Sequence, residues 1–143
     1  SNASGAAVVF LDAGRATGTI AGESADIFLI GEPDSFGSAL VCNADLDGDG
    51  VAELVLGDNG DDTAGVDAGA GWVYRLGGTG GGILFTADAD LSFFGASAGD
   101  RFGSDLASAG DANDDGTPDL VIGAPGNDGA AADGGAVYVV LGR

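Results

Sequence analysis

Short apolar runs alternate with glycine- and aspartate-rich turns along almost the whole chain, and no segment carries a sustained 3.6-residue stripe. Helix is therefore expected to be minor. Nine strands are predicted, at about 6–11, 26–30, 37–42, 53–57, 71–76, 90–94, 103–108, 119–123 and 135–141. In Leu54-Val55-Leu56 and Leu120-Val121-Ile122 the apolar residues follow one another without alternation. A strand with one wet face alternates, so a continuous run implies burial on both faces. Small stacked sheets meet that demand most simply.

The pattern is also written more than once. Phe36-Gly37-Ser38-Ala39-Leu40 matches Phe102-Gly103-Ser104-Asp105-Leu106, and Glu53-Leu54-Val55-Leu56-Gly57 matches Asp119-Leu120-Val121-Ile122-Gly123, both at an offset of 66. Gly71-Trp72-Val73-Tyr74 matches Gly135-Ala136-Val137-Tyr138 at 64, and Gly5 to Leu11 resembles Gly135 to Leu141 as a partial third copy. A period of this length signals a repeat architecture, in which each unit needs neighbours to cover its faces.

Between the matched strands lie two acidic loops in register, Asp45 to Glu53 and Asp111 to Asp119. Each has oxygen side chains at positions 1, 3, 5 and 9 and glycine at position 6. Hard divalent cations suit such a loop: calcium takes about six to eight oxygens at about 2.3–2.6 Å. The first candidate site is Asp45, Asp47, Asp49 and Glu53 with the Val51 carbonyl. The second is Asp111, Asn113, Asp115 and Asp119 with the Thr117 carbonyl. Asp114, at an even position, is expected to point outward. Position 12 is Leu56 or Ile122, inside a strand pattern, which excludes an EF-hand with its bidentate glutamate. The bland alternative is a pair of Asp-Gly turns that bind nothing.

Charge agrees with cation binding. Twenty-three acids face four arginines, with no lysine or histidine, for a formal charge of −19. Such a surface repels nucleic acid and anionic membranes, and no apolar run reaches the length of a membrane span. Absence of histidine removes Ser-His-Asp and Cys-His chemistry. Gly77 to Gly82 has no following helix pattern, and the chain has no P-loop lysine, so a flexible inter-strand loop is expected there. The turns at 58–62 and 127–129 read as ordinary Asx-turn chemistry. Cys42, the single cysteine, lies in the apolar stretch Ala39-Leu40-Val41-Cys42 and is expected to be a buried small hydrophobe. Ser1-Asn2-Ala3 resembles a tag remnant. With methionine absent throughout, the chain is expected to be a piece of a longer, secreted precursor.

Phe36-Gly37, the loop at 45–53, Gly57, Phe102-Gly103, the loop at 111–119 and Gly123-Ala124-Pro125 resemble FG-GAP repeats, the units of integrin-alpha-like propeller heads. The resemblance implies an all-β fold of about two four-stranded antiparallel propeller blades, part of or assembling into a propeller. It divides the chain into a tag remnant at 1–3, the last strands of a preceding blade at 4–31, one repeat at 32–95 and an incomplete one at 96–143. In that family Phe-Gly opens the innermost strand, the calcium loop joins it to the second, and Gly-Ala-Pro ends the second. This chain departs from the pattern with Gly57-Asp58-Asn59 in place of Gly-Ala-Pro, and with Glu53 rather than aspartate at position 9.

The function expected from this is a calcium-binding interaction or adhesion module at a cell surface or outside the cell, non-enzymatic, with Ca2+ structural at two sites. Its partner would be a protein or polysaccharide, not nucleic acid, and the loops at 58–70 and 126–134 would recognise it. Self-association is expected through exposed blade faces, with the 26–30 strand of one chain completing the last blade of another. The alternative is part of a secreted glycoside or phosphoester hydrolase using paired acids such as Asp88 and Asp90.

Overall fold

The computed structural model describes residues 4–9, 25–33, 35–77, 81–132 and 134–143. Among the described residues there are ten strands: β1 (Ser4–Val9), β2 (Ile27–Pro33), β3 (Phe36–Ala44), β4 (Glu53–Asp58), β5 (Ala70–Tyr74), β6 (Gly82–Phe85), β7 (Leu91–Phe94), β8 (Asp105–Gly110), β9 (Asp119–Ala124) and β10 (Ala136–Val140). A single 3-10 turn at Thr86–Asp88 is the only helical element among the described residues. The tag-like residues 1–3, the end of the first predicted strand at Phe10 and Leu11, and Gly78 to Gly80 lie outside the described residues.

Three small sheets result. The middle one has the order β3-β4-β5-β7, all antiparallel. One outer sheet is β8-β9-β10, the same first three strands of the next repeat. The other is β1-β2-β6, in which β2 has β1 antiparallel on one edge and β6 parallel on the other. Nine strands are expected from the sequence, and β6 is the tenth. It has only four residues, directly follows the glycine cluster, and pairs with a strand of the preceding sheet. Local periodicity carries no record of that contact. Because β2 already has neighbours on both edges, the expected strand exchange would require β1 or β6 to separate from it.

Alternate side chains of the middle sheet serve two cores. Leu54, Leu56, Ala70, Trp72 and Tyr74 meet Ile27 and Leu29 on one side. Val41, Val55 and Val73 meet Phe102, Leu106, Leu120, Ile122 and Ala124 on the other. All six residues of β4 are buried, as its unbroken apolar run predicts. For β9 the expectation holds on one face only. Leu120 and Ile122 are fully buried, but Val121 is partly exposed, because no described sheet lies beyond it.

Apolar residues are left in the open on the last sheet and in the groove between the leading and middle sheets. Val137 is 70 % exposed, although its repeat counterpart Val73 is 3 % exposed. Leu40 is 59 % exposed, whereas its counterpart Leu106, covered by the middle sheet, is 8 % exposed. Cys42 corrects the sequence expectation: the thiol is exposed, not buried. It lies two residues beyond Leu40 on β3 and lines the same open groove beside Ala7, Val8 and Val9. The stack does not close into a ring.

The β4–β8 contact needs bare backbone. A Cβ added at Gly57 would lie 2.1 Å from the Gly103 carbonyl oxygen, and Gly103 itself has a φ of +80°, matched by +82° at its repeat counterpart Gly37.

Candidate metal centres

The two acidic loops fold alike. Each leaves the end of an inner strand, β3 or β8, where the pairing register slips by one residue against the following strand: Val41↔Val55 gives way to Ala44↔Glu53, and Ser108↔Leu120 to Gly110↔Asp119. Glycine at position 6 has a positive φ in both, +90° at Gly50 and +94° at Gly116, a conformation that side chains with a Cβ disfavour. Position 4 also needs that region. Gly48 supplies it in the first loop and Asp114, with φ +60° and an exposed side chain, in the second. Aspartate is among the few residues that tolerate it.

Hydrogen bonds repeat position by position. The Gly50 N–H donates to Asp45 Oδ2 at 2.9 Å, and Gly116 N–H to Asp111 Oδ2 at 2.8 Å. The Val51 N–H donates to Asp49 Oδ1 at 2.8 Å, and Thr117 N–H to Asp115 Oδ1 at 2.9 Å. Position 9 reaches back to position 2: Leu46 N–H to Glu53 Oε2 and Ala112 N–H to Asp119 Oδ2, both at 2.7 Å. The longer glutamate therefore fills the aspartate's place with the same register slip.

Asp45, Asp47 and Asp49 each bring one carboxylate oxygen into a group whose members lie within 4.8 Å of one another. Among the described residues this is the one cluster of three acidic side chains so placed. The Oδ1 of Asp45 is buried and has no hydrogen-bond partner. A buried, unmatched oxygen on a carboxylate grouped with two other acids is an unfavourable arrangement that a hard cation would relieve, so the first loop fits calcium chemistry. Burial pushes the Glu53 carboxyl above its usual range, and the charges of Asp47, Asp45 and Asp49 add to this; the Leu46 N–H opposes it.

The second loop is arranged differently in detail. Asn113 Nδ2 donates to Asp115 Oδ2 at 2.7 Å, and this bond, with the Thr117 N–H, holds the Asp115 carboxyl below its usual range. Asp119 is fully buried, and its second oxygen accepts the Gly142 N–H at 3.0 Å. The position-9 acids thus brace their loops, whichever other role the candidate sites give them.

Sequence reasoning missed two polar features. Arg75 Nε donates to Asp47 Oδ2 at 2.7 Å. Asp100 is buried, and its Oδ2 accepts from the Ala96 and Ser97 N–H groups and from Asn127 Nδ2, tying the turn before Phe102 to the one after β9. The only signal for the first was a basic residue in an acidic chain. In the departure at Gly57-Asp58-Asn59, Asp58 is buried and Ser35 Oγ donates to it at 3.0 Å, so a polar pair occupies the place of Ala124. The turns at 58–62 and 127–129 hold Asx bonds, from Thr63 N–H to Asp61 and from Gly129 N–H to Asn127.

The acid pair considered for hydrolysis is engaged in backbone bonding. Asp88 Oδ2 accepts the Phe85 N–H at 2.8 Å, and Asp90 Oδ2 accepts the Arg75 N–H at 2.7 Å. No helix of the described residues is long and apolar enough to cross a membrane.

Comparison with known proteins agrees with this geometry. The FG-GAP repeat family model matches residues 102–140. Integrin alpha-PS5 of Drosophila melanogaster is 38 % identical over 114 residues, covering 75 % of this chain. Integrin alpha-4 of Xenopus laevis is 38 % identical over 109 residues, covering 76 %. The chain spans about 10 % of the length of each of these relatives.

Proposed function

This chain is an FG-GAP repeat protein, and from that premise we propose that it is a calcium-stabilised interaction module of an extracellular or cell-surface protein, without catalytic activity of its own. The observation that carries the calcium reading is the buried, unpartnered Oδ1 of Asp45 within the Asp45-Asp47-Asp49 cluster. In this reading Asp45, Asp47, Asp49, Glu53 and the Val51 carbonyl hold one ion. Asp111, Asn113, Asp115, Asp119 and the Thr117 carbonyl hold the second. The ion neutralises carboxylates that otherwise repel, and binding adds to folding because the unfolded chain has no preformed site. At a hundredfold excess over its dissociation constant, one site contributes about 2.7 kcal/mol.

Partner recognition is assigned to the loops at 58–70 and 126–134, whose ends are fixed by the blades. We also assign self-association to two uncovered apolar surfaces, the open face of the last sheet with Val137 and Val139 and the groove beside the leading sheet with Leu40.

Calorimetric titration of chelator-stripped protein tests the metal reading. Two calcium ions per chain are expected, falling to one in Asp45→Ala and in Asp111→Ala. Magnesium is expected to bind much more weakly, because it accepts large flexible oxygen sites poorly. Heat from neither loop would overturn the proposal.

A further inference from the structure

We propose that Arg75 is a built-in counter-ion of the first loop and that it sets the calcium affinity of that site. The proposal rests on the reading of 45–53 as a calcium loop. Arg75 directly follows β5, and its backbone N–H is held by Asp90 Oδ2. From that anchored root the guanidinium reaches the loop, and Nε donates to Asp47 Oδ2 at 2.7 Å. The other oxygen, Asp47 Oδ1, accepts the Asp49 N–H at 3.1 Å. Both oxygens of the position-3 carboxylate are therefore engaged by donors of the protein, and one donor carries a full positive charge.

An ion among Asp45, Asp47 and Asp49 would share Asp47 with this guanidinium. Two cations on one carboxylate oppose each other, which lowers affinity. Solvent weakens the effect, because the Arg75 side chain is 54 % exposed. In the ion-free protein the same contact has the opposite value, since it relieves repulsion within the acidic cluster.

The second loop shows what the arginine is matched to. The offset that aligns Tyr74 with Tyr138 places Val139 where Arg75 stands, so the second loop has no counterpart. Nor does it need one. Four carboxylates and one guanidinium leave the first loop with three net negative charges. The second has three carboxylates at its ligand positions and the neutral Asn113. Calcium affinity in oxygen loops follows ligand charge. Arg75 thus brings a four-carboxylate loop level with a three-carboxylate one.

The test uses the whole chain carrying Asp111→Ala, so that only the first loop titrates, with Arg75, Arg75→Gln or Arg75→Lys. Calorimetry gives the calcium affinity, and thermal melting in EDTA gives the ion-free stability. Arg75→Gln is expected to bind calcium about tenfold more tightly at low salt, with the gain shrinking as ionic strength rises. It is also expected to melt at a lower temperature in EDTA. Arg75→Lys, which keeps the charge, is expected to stay near the parent on both measures. Unchanged or weaker binding by Arg75→Gln, with the loop still titrating, overturns the counter-ion role. So does Arg75→Lys behaving like Arg75→Gln. No calcium heat in any of the three proteins refutes the underlying calcium reading instead.

Discussion

Replacing Asp119 by alanine separates the two duties assigned to position 9, bracing the loop and facing the ion. The carboxylate is fully buried, and its two oxygens accept the Ala112 N–H at 2.7 Å and the Gly142 N–H at 3.0 Å. Hydrogen bonds to a charged group contribute about 1.5–3 kcal/mol each. Ala112 is exposed, so water can replace the acceptor there, while Gly142 is buried and its donor would be stranded. The lower half of the combined range applies, and Asp119→Ala is expected to lose about 3–4 kcal/mol in EDTA. That is a large part of a domain stability of about 5–15 kcal/mol. Urea unfolding followed by the fluorescence of Trp72, the single tryptophan and nearly buried, measures it directly. Asp49→Ala is the control: Asp49 is exposed and its Oδ1 accepts the Val51 N–H, so the loss in EDTA is expected to be below about 1 kcal/mol. A loss at Asp119 that appears only with calcium present would refute the bracing role.

Two further outcomes follow from burial. Burial, with the Asp88 charge behind it, pushes the Tyr74 phenol up to about 12. The neutral phenol is favoured by folding, so this stabilisation is complete below the ordinary tyrosine value of about 10 and is lost as pH rises towards about 12, by at most about 2.7 kcal/mol. Absorbance titration at alkaline pH is expected to lose its late step in Tyr74→Phe; a late step that persists would contradict the assignment. Light scattering at micromolar concentration with calcium is expected to give a mass above that of one chain. Val137→Glu on the open face of the last sheet should lower that mass, and a clean monomer before mutation would end the self-association reading.

Most of the strand pattern could be read from the sequence because burial leaves a periodic trace. Leu54-Val55-Leu56 belongs to both cores, and its unbroken apolar run says so. The loops were readable because their oxygens stand at fixed intervals and their glycines at fixed turns. What escaped depends on long-range contacts. β6 is defined by a partner 55 positions earlier, from Gly82 to Ile27. The exposure of Cys42 depends on which strands lie opposite β3, and its apolar neighbours carry no information about that. Arg75 and Asp47 are far apart in sequence, so their ion pair had no local signature.

The pairing of β6 with β2 gives the stack a latch. Residues 82–85 leave the repeat they belong to, between β5 and β7, and hydrogen-bond to the sheet in front. Repeat proteins held only by stacked faces can lose terminal units one at a time. Here the leading sheet cannot peel away without also breaking backbone bonds to a segment embedded in the next repeat. Under mechanical tension, as between two attached surfaces, the first two sheets would therefore yield together in one event of higher force. The pairing also spans a long loop, and closure entropy makes such a contact slow to form. The latch thus closes late in folding and has to be broken before the leading sheet can separate.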